Sequence, residues 1–599
     1  MINIKKWKNG EYDEGWEQGP WGECYTGIYQ ASVFIHNIDR NTKFTEEERA
    51  DYKAQARFVR AYYYWLLLRK YGPIPIMPDE GMDFTQEYED LAVARSSYDE
   101  VANFIASEMQ IAAKDLPLER GPLAIARPTR GAALAARAKV LLYAASPINN
   151  PHPSDTEKFS DMVNFDGKHL IAQEYDETKW ARAAAAALDV MELPGNQADG
   201  KRYDLYHLGR RTSGSVGYPV TIEPYKDGDF SEHTWPDGWQ DIDPFESYRS
   251  LFDGEVSASD NYELIFTRGQ NQSSEGVDIM VVHQLPTSAT GWNTHGLTQK
   301  MCDAYYMNDG SDCPGKDLEI GGANGTVRET GFVDETNQEN YPELGEHRIG
   351  VSLQYVQREP RFYASVAYNG STWFLLNESN DANRNQQVFY YRGMGNGYNN
   401  NNAFWLRTGI GVKKFVHPYD THENRDMGRI RRKAEPAIRY AEILLIYAEA
   451  LNELDGSHNI ESWDGSKTYT IKRDINEMKK GIRPIRCRAG IPDYTAAEYA
   501  SKDLFREKIK RERMIELMGE GHRYYDLRRW KDAEKEESQP IYGCNTLMTE
   551  QYKDLFHIPV VVPSLPTNFS RKMYLVAISH SELKRNRLLT QNPGWTYND

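Results

Sequence analysis

The sequence contains few cysteines and no motif built on them. Only five of its 599 residues are cysteines: Cys24, Cys302, Cys313, Cys487 and Cys544. No two of them have the C-x-x-C spacing, which excludes a zinc ribbon and a disulfide-dense scaffold. We therefore predict buried free thiols. A bond between Cys302 and Cys313 across a loop stays open as the alternative.

Long hydrophobic stretches are also lacking. Apolar runs such as 132–136 and 140–145 are far shorter than the roughly 20 residues that a transmembrane helix needs. The first residues carry positive charge, but no hydrophobic segment follows them as it does in a signal peptide. We therefore expect either a cytoplasmic protein or an export segment that is missing from this sequence.

Positive charge is in deficit. The chain has 71 Lys and Arg against 88 Asp and Glu, which gives a net charge of −17 and an isoelectric point of about 5.4. Such an acidic balance repels phosphate backbones and disfavours a general nucleic-acid binder. The hydrophobic content of 40% and the charged content of 27% argue against bulk disorder.

Helical patterns occupy the two ends of the chain. Apolar spacing predicts helices at about 25–38, 45–70, 97–115, 128–146 and 179–191, with Thr45 and Ser97 as N-caps. Helices return at about 435–453 and 495–518, and a shorter one ends near residue 531. The second early helix has to stop at Tyr71, because Gly-Pro-Ile-Pro follows it.

The middle of the chain, from about 195 to 430, has a different character. Gly, Asn, Asp, Tyr and Trp dominate it, and only short strand-like runs occur, at 263–267, 365–368 and 387–391. We therefore predict a mainly α fold, in which tetratricopeptide-like helix pairs carry a long loop-rich insert. An irregular helical domain is the alternative.

This pattern divides the chain into four parts of one integrated unit. They are an N-terminal helical part (1–195), a variable, ligand-binding loop region (196–430), a C-terminal helical part (431–531) and an irregular tail that packs on the helices (532–599).

No sequence motif points to catalysis. Zinc-protease, P-loop and nucleophile-elbow motifs are missing. Segment 308–312 lacks the spacing and the closing Glu of an EF-hand, so an ordinary turn is favoured over an incidental calcium site. Glu442 and Glu449 share a helix face, where salt bridges to neighbours such as Arg439 are commoner than a functional carboxylate pair. We predict no catalytic residue, no metal ligand and no cofactor.

Tryptophans in Gly- and Asn-rich surroundings are the feature that points to a ligand. A flat ring covers the apolar C–H face of a sugar, while neighbouring Asn, Asp and Arg side chains bind its hydroxyls. The alternative is that these rings fill small cores beneath long loops. On local composition, the candidate ligand-binding residues are Trp16, Trp21, Trp239, Trp292 and Trp373.

Four segments and the tail carry a resemblance to a known family. They are RFVRAYYYWLLLRKYGPIP at 57–75, PTRGAALAARAKVLLYAA at 128–145, RYAEILLIYAEALNE at 439–453 with IRPIRCRAGIP at 482–492, RERMIELMGEGHRYYDLRRW at 511–530, and LTQNPGW at 589–595. Together they resemble the SusD/RagB family, the glycan-binding outer-membrane lipoproteins of Bacteroidetes.

The charged residues of these motifs have a structural explanation. They lie on or near amphipathic helices beside Tyr and Leu, where paired arginines and carboxylates at helix crossings account for them. The motifs therefore identify the fold and do not mark the ligand site. The residues concerned are Arg57, Arg60, Arg513, Glu516, Glu520, Arg523, Asp526 and Arg528.

The resemblance implies a function as well as a fold. It implies a lipidated, surface-exposed protein of the outer membrane that captures oligosaccharides and delivers them to a SusC-like TonB-dependent transporter, without being an enzyme. Two departures stand out: the lipoprotein signal and its acceptor cysteine are absent, Cys24 not being an anchor, and the family's helix ahead of 21–37 is missing. A helical-repeat scaffold or peptide-binding protein is the alternative, and a glycoside hydrolase is less favoured.

Overall fold

The computed structural model describes most of the chain. The described residues are 11, 14–15, 19–83, 85–210, 222–267, 276–399, 403–562 and 567–597. Trp16 lies outside them.

Five long helices form the N-terminal part. They are α1 (Trp21–Asn37), α2 (Glu46–Tyr71), α3 (Tyr98–Asp115), α4 (Arg130–Ala145) and α5 (Thr178–Met191). The predicted helices are thus confirmed, and their starts have the expected cause. The Thr45 hydroxyl accepts a hydrogen bond from the Glu48 N–H while the Glu48 carboxylate accepts one from the Thr45 N–H, and Ser97 forms the same capping box. Gly72 ends α2 with a φ of 73°, which favours glycine.

Each of these helices packs against its neighbours in the chain, in the manner of tetratricopeptide helix pairs. Helix α4 is almost entirely buried, and its alanines let the backbones of α3 and α5 come close. The predicted mainly α fold is confirmed.

The C-terminal helices complete the same core. They are α10 (Tyr440–Asn452), α11 (Ile475–Arg488), α12 (Ala496–Ala500), α13 (Lys502–Glu516), α14 (Arg523–Arg529), α15 (Ala533–Glu537), α16 (Lys553–Phe556) and α17 (His580–Arg585). Helix α10 is buried along its whole length and packs against α5, α11 and α13, so that it joins the two helical parts.

Two details of this region differ from the sequence-based expectation. The single helix expected at 495–518 is two helices, because Ser501 has an extended backbone and caps α13 with its hydroxyl. Helix α11 was not predicted at all. It continues through Pro484 since Met478, Ile482 and Ile485 are buried, and this burial outweighs the hydrogen bond that a proline removes.

The middle region consists of loops, short helices and two-stranded antiparallel ladders. The helices are α6 (Pro244–Arg249), α7 (Val277–Gln284), α8 (Gln299–Ala304) and α9 (Pro360–Ser365). Its strands are β1 (Leu264–Thr267), β2 (Val366–Ala367), β3 (Ser371–Trp373), β4 (Gln386–Val388) and β5 (Gly411–Val412). Later in the chain follow β6 (Pro436–Arg439), β7 (Ser457–Glu461), β8 (Thr468–Lys472), β9 (Tyr542–Gly543) and β10 (Val560–Val561). The pairs are β1–β6, β2–β5, β3–β4, β7–β8 and β9–β10. All three strand-like runs overlap a strand, whereas the β7–β8 hairpin was not predicted.

The tail motif joins the two ends of the chain. The Asn592 amide donates to the Tyr71 carbonyl at 2.9 Å and to the Val576 carbonyl at 2.7 Å. Its oxygen accepts a hydrogen bond from Arg95, whose guanidinium also binds the Pro73 carbonyl. The polar groups at the C-terminal end of α2 are thereby satisfied from the other end of the sequence.

All five cysteines are free and buried, as predicted. In the described ranges, no helix combines the length and the apolar character that crossing a membrane requires.

Most of the charged motif residues form buried ion pairs, in line with their structural interpretation, whereas Arg57 and Arg523 are half-buried and Arg523 lines the cleft described below. Glu516 accepts hydrogen bonds from Arg361 at 2.9 Å and Arg439 at 2.8 Å, and also from Arg488. Glu520 binds Arg439 too, and Arg513 binds Asp526. These bonds connect α13 with β6, α9, α11 and α14.

The carboxylates of Glu442 and Glu449 lie in separate ion pairs. Glu442 is 2.9 Å from the Lys139 ammonium, and Glu449 binds Arg529 at 2.5 Å. The neighbour expected to pair with them, Arg439, instead binds Glu263, Glu516 and Glu520, because its side chain points toward α13.

Removing the Glu516 charge is expected to destabilise the fold. Burial acts to raise the pKa of Glu516, but Arg488, Arg439 and Arg361 hold it below its ordinary value. Glu516→Gln leaves buried guanidiniums uncompensated, so we expect a loss of about 3–5 kcal/mol in the free energy of unfolding at pH 7. Chemical denaturation followed by tryptophan fluorescence measures the difference.

The control is Glu335→Gln, which changes an exposed carboxylate and should stay within about 0.5 kcal/mol. Because the pKa of Glu516 is lowered in the folded state, its contribution is present above the unfolded value of about 4.3 and is lost as the pH falls below it. The difference in the free energy of unfolding between the wild type and Glu516→Gln should therefore decrease below that pH. A gap that is absent at pH 7 contradicts the central role of this carboxylate.

Candidate ligand-binding site

Of the predicted tryptophans that the structure describes, three are buried. Trp21 is 5%, Trp239 0% and Trp373 3% exposed. Trp292 is half-buried and keeps part of its ring accessible. A ligand can stack only on a ring face that solvent reaches, so we build the candidate site around Trp292.

The buried rings have evident packing roles. Trp21 meets Tyr71 edge-to-face with 5.0 Å between ring centroids, at the end of the α1–α2 pair. Trp239 stacks on Phe230 at 6.0 Å and donates its indole N–H to the Tyr225 carbonyl at 3.2 Å. Both are core rings of the kind considered as the alternative for the whole set.

Trp292 belongs to a continuous row of four rings. It stacks with Phe404 at 5.9 Å and meets His283 edge-to-face at 4.5 Å. His283 in turn stacks on His295 at 4.8 Å with the ring planes 6° apart. Phe404 is 43% exposed, so the outer end of this aromatic row lies at the surface.

A tight loop after α7 positions the row. The chain turns back on the helix, so that the Trp292 N–H donates to the Val282 carbonyl at 2.7 Å and the Thr294 N–H to the His283 carbonyl at 2.9 Å. The Thr294 hydroxyl lies 2.6 Å from His283 Nδ1 and fixes the ring. Backbone bonds to a buried helix thus hold a partly exposed ring.

A second pair of rings lies in the segments that flank Phe404. Tyr398 and Trp405 are 4.8 Å apart, and the Arg407 guanidinium lies 4.1 Å from the centre of the Trp405 ring. The 393–398 turn is fastened to the Trp292 loop, because the Asn396 side chain accepts a hydrogen bond from the Thr287 N–H at 2.8 Å and its carbonyl accepts one from Asn293.

The inner end of the row opens on a cleft of about 630 Å³. His295 and Thr294 line it on one side. The other walls are mainly apolar, with charged groups at intervals: Met280, Leu297, Met301, Val412, Phe415, Met514, Met518, Leu527, Ile541 and Tyr542, together with Lys300, Glu319, Arg523, Glu536 and Glu537. Lys300 lies 2.5 Å and Arg523 3.3 Å from Glu536, so these charges compensate one another.

The two histidines of the row are held neutral. Burial lowers the pKa of His283, and burial together with the neighbouring His283 lowers the pKa of His295 to about 4. A neutral imidazole has one donor and one acceptor nitrogen. The pair can therefore bind hydroxyl groups, which also donate and accept.

This arrangement suits a flat, hydroxylated ligand. Ring faces cover apolar C–H surfaces, and the histidines and Arg407 supply hydrogen bonds at the edges. The row and the cleft form a continuous surface rather than one deep pocket.

The sequence-based candidates include Trp292, and the structure places further rings near it that were not among those candidates. These are Phe404, Tyr398, Trp405, His283 and His295. One signal was present: Phe404 and Trp405 directly follow the Asn-rich stretch at 396–402.

No group of three or more His, Cys, Asp or Glu side chains is placed to hold a metal ion within the residues that the structure describes. At 308–312 the Asp309 carboxylate accepts the Ser311 N–H at 2.9 Å, and Asp312 binds Arg511. This segment is an ordinary turn closed by an ion pair.

Comparison with known proteins identifies the family. The family model described as "SusD family" matches residues 248–595, more than half of the chain. The chain belongs to the SusD family. A second model, described as "Starch-binding associating with outer membrane", matches residues 3–142 of this SusD-family chain.

Individual relatives agree with this assignment. SusD-like protein P25 and SusD-like protein P2 of Formosa agariphila are 28% identical over 93 residues and 31% identical over 163 residues. These matches cover 15% and 26% of this chain but only 17% and 25% of the relatives' lengths.

Solved structures show the same fold over nearly the whole SusD-family chain. The selenomethionine form of BT4246 aligns with a TM-score of 0.74 at 23% identity, covering 98% of this chain and 92% of that one. The SusD-like protein BF3747 of Bacteroides fragilis aligns with a TM-score of 0.67 at 22% identity, covering 99% and 90%.

We expect the pKa of His295 in this SusD-family protein to lie well below the ordinary value for histidine. His295 should protonate near pH 4 rather than near the ordinary value of about 6.5, since its burial disfavours the charged ring. A pH titration of the histidine ring signals by NMR measures this, with His295→Gln assigning the resonance. In urea, where the burial is removed, the same signal should move back toward the ordinary value. A folded-state transition between pH 6 and 7 contradicts the geometry.

Proposed function

We propose that the protein captures oligosaccharides on the aromatic row and in the adjoining cleft. The observation that carries this proposal is the continuity of Phe404, Trp292, His283 and His295, which lead from the surface into the cleft. Family membership supports it, since a model described as starch-binding matches the N-terminal part of the chain.

Binding proceeds by many weak contacts. The Trp292 and Phe404 faces cover the C–H surfaces of successive sugar units, and Tyr398 and Trp405 extend the surface. His283 and His295 exchange hydrogen bonds with hydroxyls, and their neutrality keeps these bonds available across the physiological pH range. The ion-paired cleft admits the chain end without a strong preference for charge.

The position of the rings favours a glycan over a peptide as ligand. A helical-repeat scaffold binds its partner in the concave groove between helices. The exposed Phe404 and the half-buried Trp292 and Trp405 lie instead in the loop-rich middle region. Glycan capture is therefore the better supported function.

Binding without hydrolysis is also the better supported chemistry. A glycosidase needs a carboxylic acid whose pKa is raised so that it can protonate the leaving group. Burial acts to raise the pKa of Glu536 in the cleft, but Lys300 and Arg523 lower it below its ordinary value. Glu319, at the same cleft, is bound to Arg328 at 2.6 Å.

We further propose that the protein acts at the cell surface, associated with the outer membrane, and passes its ligand to a SusC-like TonB-dependent transporter. This proposal rests on family membership and on the outer-membrane description of the second family model.

Removal of single rings is expected to weaken glycan binding. A panel of plant, host and microbial glycans is first tested by native affinity electrophoresis, and calorimetry then gives the dissociation constant for any hit. Trp292→Ala and Phe404→Ala should each raise that constant about 3- to 10-fold, because a ring contact contributes about 0.5–1.5 kcal/mol.

Trp463→Ala is the matched control, since Trp463 is also half-buried but follows strand β7, remote in sequence from the row. Its binding should equal that of the wild type. Wild-type affinity in both Trp292→Ala and Phe404→Ala would show that the ligand binds elsewhere. If no glycan of the panel binds, the proposed function is contradicted.

The transporter proposal has its own test. A tagged copy of the protein, purified from outer membranes of its native host after mild cross-linking, is expected to carry a TonB-dependent transporter identified by mass spectrometry. Phe404→Ala should retain this partner, since the change affects the glycan surface. Recovery of the tagged protein without any such transporter contradicts the delivery step.

A further inference from the structure

A second, smaller pocket lies on the other side of strand β5 from the cleft. Val412 lines the cleft, while the next residue, Lys413, lines this pocket. The Lys413 N–H donates to the Ser365 carbonyl at 2.9 Å, which continues the β2–β5 ladder and fixes the direction of the side chain. The Lys413 pocket has a volume of about 70 Å³, and no residue of the aromatic row lines it.

The walls of the Lys413 pocket are aromatic. Tyr363, Tyr368 and Phe245 are buried, and Phe374 lies beside them. The Lys413 ammonium is 5.9 Å from the centre of the Tyr368 ring. The space holds on the order of five waters, since each occupies about 10–15 Å³ by this measure. A group of three or four heavy atoms fits there.

Lys413 is half-buried and has no counter-ion in the described part of the chain, whereas the fully buried lysines are paired. Lys139 is 2.9 Å from Glu442, Lys414 is 2.8 Å from Glu520 and Lys433 is 2.7 Å from Asp420. Within the described residues, the ammonium of Lys413 has neither an ion pair nor a hydrogen bond. Burial alone accounts for the lowering of its pKa to about 8.

The remaining titratable groups of the pocket leave the ammonium uncompensated. The Glu343 carboxylate accepts the Gln357 N–H at 2.7 Å, and burial raises the pKa of Glu343. Glu346 and His347 are exposed at the rim. An ammonium that lies among aromatic rings without a counter-ion is partly desolvated, and an anionic ligand would offset that cost.

We propose that the Lys413 pocket binds an oxyanion, a carboxylate or a sulfate, carried on a small ring. The oxyanion enters the pocket and pairs with the Lys413 ammonium, while the ring stays at the mouth of the pocket against Phe374, which is only half-buried. An acidic sugar and a hydrophobic carboxylic acid both have this chemistry. The Lys413 pocket is separate from the aromatic row, so this proposal does not depend on glycan binding at the row.

Calorimetry with small probes tests the site. Glucuronate or benzoate should bind at millimolar concentration, and glucose should bind at least about tenfold more weakly because it cannot form the charge-assisted bond. Tighter binding of glucuronate than of benzoate identifies an acidic sugar as the ligand, and tighter binding of benzoate identifies a hydrophobic acid. Lys413→Met should weaken binding at least about tenfold, whereas Lys472→Met, which changes an exposed lysine of β8, should have no effect.

A labelling experiment keeps the proposal testable even if Lys413→Met fails to fold. In the wild-type protein at pH 7.5, Lys413 should be acetylated by a limiting amount of acetic anhydride faster than Lys472, and the bound acid should slow this acetylation. Peptide mapping by mass spectrometry measures both sites. Failure of both acids to bind or to protect Lys413, or unchanged binding in a folded Lys413→Met variant, overturns the proposal.

Discussion

The buried ion-pair network around Glu516 is the constraint on which the rest of the structure depends. One carboxylate on α13 receives guanidiniums from α9, β6 and α11, and each of these elements comes from a different part of the sequence. Taking these charges out of water is costly, and only complete pairing offsets the cost. The network therefore stabilises one relative arrangement of these helices and loops, because any other arrangement would leave buried charges unpaired.

The same helix that holds the network also forms the floor of the candidate site. Glu512 and Glu516 point from α13 into the ion pairs, whereas Met514 and, just after the helix, Met518 line the cleft. Lys414 binds Glu520 in the network, and its neighbours Val412 and Lys413 line the cleft and the small pocket. The loops that carry the candidate site are thus held by charged residues whose positions the ion pairs fix.

Elements whose ends are fixed by residues within the same segment could be predicted from the sequence. Helix α2 begins at a capping box and ends at Gly72 and Pro73, all within the segment itself, and its predicted bounds match the structure closely. Helix α11 contains Pro484 and has no such local support, since it exists because its buried face packs on α10. The break at Ser501 was missed because helix-forming residues lie on both sides of it.

Residue patterns were sufficient to predict the helical parts at both ends of the chain, the loop-rich middle and the resemblance to the family, and they favoured free cysteines. They also indicated that arginines and carboxylates of the motifs pair with one another. Which tryptophans are accessible, however, follows from the tertiary structure alone. Trp239 and Trp292 have similar polar neighbours in the chain, yet one is wholly buried and the other stacks on an exposed Phe404. The exposure of a side chain depends on which distant segments of the chain pack over it, and the composition of its neighbouring residues does not contain that information.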